Sequence, residues 1–163
     1  MLGSLDPDDT SGKKLMRFSQ ETIEQNVAES KPLLESHFKE IAQFQDIPLD
    51  PDYDQYIALE KAGFIRCFVA RGADNSMVGY AVYFVRHNLH YRGSLQAVQD
   101  VIFVKQEFRG RGGSFIKWID EQLKAQGVQV TYHHVKVAHD FSSMLEKIGY
   151  TFVDKILARR LDI

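Results

Sequence analysis

Apolar residues recur along this chain with two different periods, and the change from one to the other maps most of its length. Over residues 21–45 the spacing is helical and falls into two pieces. In the second, Leu33, Leu34, Phe38, Ile41 and Phe44 share one face, Pro32 sits in the first turn and Ser30 is placed to cap it. The prolines and aspartates of 47–54 make a loop, and a short helix over 54–61 stops at Gly63. Residues 64–70 and 77–86 read as two strands joined by the turn-forming Gly72, Ala73, Asp74 and Asn75, a hairpin. After a polar connection comes Leu95–Val104, whose end is apolar on both faces and is expected to be a central strand covered on both sides.

The run RGRGGS, from Arg109 to Ser114, then leads into a helix over 114–126. Ile116, Ile119 and Leu123 form its apolar stripe and Gly127 its stop. Residues 128–137 read as another strand, Asp140 caps a short helix ending at Gly149, and 150–161 closes the chain with strand character. This last strand can complete its own sheet or pair with a partner chain, giving a homodimer in the second case. The order of elements is a mixed α/β layout. Residues 1–15 lack periodicity, are rich in Gly, Ser and Asp, and read as an irregular leader ahead of a single domain over 16–163.

Composition narrows the function classes. A chain of 163 residues, 44% hydrophobic and 26% charged, suits one soluble globular domain. No apolar run approaches the roughly 20 residues of a membrane-spanning helix. The formal net charge of -2, without a basic block, makes nucleic acid a weak candidate partner. The single cysteine, Cys67, has no internal disulfide partner and lies in an apolar run, as a buried small hydrophobe would, so a reducing cytoplasm is the expected setting. His87 and His90 have no partner at ligand spacing, and no metal site is expected.

A strand feeding a glycine-rich turn and then a helix places backbone N–H groups beside the positive end of the helix dipole, an arrangement that binds phosphate oxygens. The glycines let an anion approach the backbone, and Arg109 and Arg111 can add charge-assisted bonds. The loop has no lysine before Ser114, as a P-loop would, and it does not sit in the early βαβ unit of a dinucleotide fold.

The segment from Val104 to Ser114 resembles the GNAT acetyltransferase signature, a strand-ending valine followed by Arg/Gln-x-x-Gly-x-Gly/Ala. Arg109 falls on the family's first arginine, Gly112 on its central glycine and Ser114 on its last small residue. The segment from Met144 to Tyr150 is similar to the family's late L-Y-E-K-x-G-F stretch, and the SLQAVQDV pattern around Asp100 looks like that of phage-associated acetyltransferases. The resemblance implies a central, mostly antiparallel twisted sheet flanked by helices and splayed at the cofactor strand. Acetyl-CoA would be the acyl donor, its pantetheine arm pairing with the backbone of Phe103 and Val104 and its pyrophosphate resting on Arg109, Gly110, Arg111, Gly112, Gly113 and Ser114.

The implied reaction moves an acetyl group to a primary amine, of a small molecule or a protein, by direct attack in a ternary complex. Asp100, four residues before Val104 where the family often places a carboxylate, is the expected catalytic base. The family's thiolate-protonating tyrosine is replaced by Leu145, which leaves Tyr132, His134, water or no acid at all. Tyr91 and His134 are expected at the acceptor, and Glu40, Asp46, Asp50 and Asp54 are placed to attract a cationic amine. Two alternatives stand beside this reading. One is a non-catalytic CoA-binding or protein-interaction module with the same fold, the other a nucleotide-binding regulator using the same anion nest.

Overall fold

The computed structural model describes residues 14–163, so all but the end of the expected leader lies outside the described residues. Met16, 1% exposed, already belongs to the core. One sheet runs in the order β1 (Arg17–Gln20), β2 (Ile65–Arg71), β3 (Met77–His87), β4 (Leu95–Val104) and β5 (Val130–Tyr132). The first four strands pair antiparallel and β5 runs parallel to β4. β3 is buried on both faces for most of its length, which is why its sequence lacks polar alternation.

Among the described residues four α-helices cover the sheet: α1 (Ile23–Ile41), α2 (Tyr53–Lys61), α3 (Gly112–Ala125) and α4 (Ser142–Lys147). α3 lays Phe115, Ile119 and Leu123 over Phe68, Tyr83 and Ala97. On the opposite face Ile23 and Leu34 of α1 and Tyr56 of α2 lie over Cys67, Tyr80 and Val82. The stops at Gly63, Gly127 and Gly149 share one mechanism. Each glycine has positive φ, its amide bonds back three residues, and the amide after it reaches back five, satisfying the last carbonyls of the helix.

Three expectations are corrected. The two helical pieces over 21–45 are a single helix, α1, started by a capping box in which Thr22 and Gln25 satisfy each other's amides. Ser30 is therefore interior to it, its hydroxyl donating to the Val27 carbonyl at 3.3 Å. Pro32 removes one helix bond, and the residue that would have accepted it, Ala28, is exposed to water. The strand expected over 128–137 shrinks to three residues because the His134 amide donates to the Gln99 side chain at 3.1 Å instead of to a strand backbone. Residues 150–161 contain no strand. Tyr150 is anchored to Asp120 at 2.7 Å and Arg160 to Asp46 at 3.0 Å, while Phe152, Val153, Ile156 and Leu157 stay exposed.

Candidate active site

The site begins with an irregularity in β4. Opposite β3, Val101 faces Val82 and Gln99 faces Tyr83, so Asp100 is the extra residue of a β-bulge. A one-residue insertion reverses which face each later side chain takes. Leu95 and Ala97 before the bulge, and Ile102 and Val104 after it, all join the α3 core, whereas Val101 and Phe103 turn toward α1 and α2. The end of the strand is apolar on both faces as expected, Ile102 and Val104 entering one core and Val101 and Phe103 the other. Asp100, at the phase change, is exposed and lines an open cavity of about 1750 Å³.

Tyr56 donates its hydroxyl to the Asp100 carboxylate at 2.5 Å. Burial raises the tyrosine's pKa, and the carboxylate beside it raises it further, so the phenol keeps its proton and acts as donor. Around this pair the cavity wall carries Tyr53, Tyr80, Asn26, Cys67 and His37. Asn26 donates to the Cys67 sulfur at 3.4 Å, and burial pushes the thiol up to about 12, so Cys67 is a packed thiol with little thiolate character, as expected. His37, buried, packs its ring 4.9 Å from that of Phe103 and is kept neutral by burial, with its pKa lowered to about 4.

Beyond the bulge the sheet opens. β5 follows β4 only from Gln96 to Val98, and the rest of β4 has no β5 neighbour. The Lys105 amide bonds the Val78 carbonyl at 2.8 Å, which fixes which backbone groups face which side. By the alternation of an antiparallel ladder, Phe103 turns its N–H and C=O toward β3, while Ile102 and Val104 turn theirs toward the opening. Of the two expected residues, Val104 turns its N–H to the opening while its carbonyl accepts from Arg109, and Phe103 faces β3.

At the end of β4 the glycine-rich run is a 3-10 helix, Gln106–Arg111, continuing straight into α3 rather than a tight turn. α1 and α2 have side-chain caps from Thr22 and Asp52, but α3 has no side-chain cap and no acidic residue in its first turn. Gly110 and Gly112 lack positive φ, and a Cβ on either would meet nothing within 4 Å. Neither backbone geometry nor packing requires glycine at these two positions, and their backbone is open to approach from outside. Gly113 differs, since a Cβ there would press on Met144 at 3.3 Å, and Ser114 is half-buried in the first turn of α3. The two arginines are placed differently. Arg109 donates to the Val104 carbonyl at 3.0 Å and to Glu40 at 2.8 Å, and Arg111 is buried.

Solved structures with the same architecture are acetyltransferases. The chain superposes on a ribosomal-protein-alanine N-acetyltransferase from Brucella melitensis with a TM-score of 0.67 at 17% identity, covering 90% of this chain and 99% of that one. The fold is that of the GNAT acetyltransferases. An aminoglycoside acetyltransferase from an uncultured soil metagenomic sample, in complex with sisomicin, matches with a TM-score of 0.67 at 13% identity over 89% of this chain and 93% of that one. A predicted acetyltransferase from Clostridium acetobutylicum with acetyl-CoA matches with a TM-score of 0.63 at 10% identity over 90% of this chain and 96% of that one. No protein-family model and no curated protein sequence matches the chain.

On this acetyltransferase fold the remaining expected residues scatter. His134 is exposed on the cavity wall. Tyr91 is 68% exposed in the β3–β4 connection, at the end of β4 remote from the glycine-rich corner and outside the cavity lining. Two of the four acidic residues expected to attract an amine are already paired, Glu40 with Arg109 and Asp46 with Arg160. Tyr56 and Tyr80 were not anticipated. Tyr56 had a faint signal, lying three residues after Tyr53 on one side of a short helix, whereas Tyr80 is hidden in the apolar pattern of β3. No helix among the described residues is long and apolar enough to cross a membrane, and no group of three or more potential metal-ligating side chains is found among them.

Proposed function

We propose that this chain is an acetyl-CoA-dependent N-acetyltransferase that acetylates a primary amine by direct attack within a ternary complex. The observation that carries the reading is the alignment of three features along one strand. These are the bulged Asp100, the opening beside Ile102 and Val104, and the uncapped, glycine-lined start of α3. The residues fit acetyl-CoA: the open side of β4 suits an extended pantetheine amide chain, and the amides of α3 suit a pyrophosphate. When bound, acetyl-CoA supplies an acetyl group activated as a thioester.

The chain's own part is to orient and to move protons. Asp100, exposed to the cavity and held by Tyr56, accepts the proton that an ammonium must lose before its nitrogen can attack. Leu145, 5% exposed, has no proton to give, so any acid assistance comes from elsewhere. That substitution is what favours the second reading, a binding module of the same fold without turnover. The acetyl-CoA complex of the Clostridium neighbour and the sisomicin complex of the aminoglycoside acetyltransferase support a donor and an amine acceptor on this fold.

Calorimetric titration of acetyl-CoA into the parent protein and into Gly112→Asp, with ATP as control, tests the donor site. We expect micromolar binding to the parent, its loss in the variant and none for ATP. Absence of binding to the parent overturns the proposal. Binding without CoA release across a broad amine panel selects the non-catalytic module.

A further inference from the structure

Tyr80 is the second tyrosine of the open face, and its hydroxyl is unlike that of Tyr56. Its side chain lies on β3 with 4% of the residue exposed, and the hydroxyl oxygen is buried without a hydrogen-bond partner among the described residues. Buried hydroxyls are normally paired, and one that is not calls for an explanation. The neighbouring polar groups turn their own donor protons to other partners. Tyr56 gives its proton to Asp100, and the Asn26 amide goes to Cys67. Tyr80 also lines the same cavity as Asp100, between the apolar side chains of Ile23, Val82 and Val101. Burial keeps the phenol protonated, so the hydroxyl remains a donor.

We infer that the Tyr80 hydroxyl is a specificity-determining donor for the acceptor substrate, whose amine lies at Asp100 and whose neutral oxygen, a hydroxyl or carbonyl a short apolar arm away, accepts from Tyr80. This inference rests on the acetyltransferase reading and narrows it to a class of acceptor. The class is a compact amino alcohol or amino amide. Ile23, Cys67 and Val82, which share a packing cluster with Tyr80, and Asn26, bonded to Cys67, bring neither a cation to pair a phosphate on that arm nor a carboxylate for a second ammonium. A donor aimed at a substrate oxygen discriminates strongly because an analogue lacking the oxygen leaves the donor buried and unpaired.

The test uses matched primary amines of increasing chain length, each alkylamine paired with its terminal alcohol and terminal amide. Binding is measured by ligand-observed NMR without donor, and turnover by CoA release. We expect at least one oxygen-bearing amine to bind the parent about tenfold or more tightly than its alkyl partner. In Tyr80→Phe that ratio should collapse toward one, while acetyl-CoA affinity and the thermal midpoint stay at parent values. No discrimination by the parent, discrimination that persists in Tyr80→Phe, or no amine binding at all would overturn the inference. Discriminated binding without CoA release would leave the Tyr80 subsite standing and remove the catalytic reading instead.

Discussion

The two faces of the sheet are built to different standards. On the α3 face Phe68, Tyr83, Ala97, Phe115 and Ile119 are all 0% exposed, and aromatic rings interlock, Phe18 stacking on Phe115 at 5.1 Å and Phe68 meeting Trp118 edge-on at 5.9 Å. On the other face α2 contributes no fully buried residue, and the space between helices and sheet is a cavity edged by tyrosines, an asparagine, a thiol and a carboxylate. Dense apolar packing yields stability without chemistry, and open polar packing gives up stability for groups that a ligand can reach. The bulge at Asp100 joins the two, because it lets one strand fill the α3 core with Ile102 and Val104 and still present a carboxylate to the cavity.

If the faces divide labour in this way, the largest stability loss should come from the closed one. Phe115→Ala removes a fully buried ring from the center of the α3 core, and its expected cost is about 3–5 kcal/mol. Leu34→Ala, at a half-buried position on the open face, should cost less than about 2 kcal/mol. Urea denaturation of both variants measures the contrast. Equal losses would mean that the open face is as tightly packed as the closed one and that the comparison is mistaken.

The second break is chemical. Asp100→Asn keeps an oxygen that can accept from Tyr56, so the stability change should be about 1 kcal/mol or less. Turnover should fall about 10²- to 10⁴-fold, the usual range for a lost general base, with acetyl-CoA affinity preserved. Normal turnover near neutral pH would remove Asp100 from the reaction and leave it as a bulge residue tied to α2.

The extent to which the sequence was legible follows the same division. Helices ending at Gly63, Gly127 and Gly149, the hairpin and the central strand were readable because local pattern and turn chemistry determine them. Asp100 and the glycine-rich run were singled out through the family resemblance. What escaped depends on contacts between distant segments. The phase reversal at the bulge exists only relative to β3, and the Tyr56–Asp100 bond spans 44 positions. The bond from Arg109 to Glu40, 69 positions away, has no local signal either. The closing strand failed for a related reason. Residues 150–161 have strand-like composition, but β5 is three residues long and offers almost no edge to pair with.

The smallest expected effect probes the seam between the faces, where His37 of α1 sits against Phe103 of β4. The charged groups that act on it are Glu40 on its own helix, Lys136 and His139 from the segment after β5, and Arg109 beyond β4. Of these only Glu40 favours its protonation, and burial dominates, lowering the folded-state pKa from 6.5 to about 4. Because the unfolded chain binds the proton more readily, His37 costs nothing at pH above about 7, and stability declines as pH falls from there toward about 4. His133, similarly lowered to about 4 by burial, acts in the same window and direction. The full shift corresponds to about 3 kcal/mol, and solvent at the cavity edge reduces the expected share of His37 to about 1–2 kcal/mol. Denaturation of the parent and of His37→Leu at pH about 7 and about 4.5 isolates that share, since His133 and the carboxylates contribute to both proteins. A smaller acid-induced loss in the variant places His37 as a proton-sensitive contact between α1 and the strand that bears Asp100. An identical loss would mean that its ring stays solvated and that the open face reaches as far as Phe103.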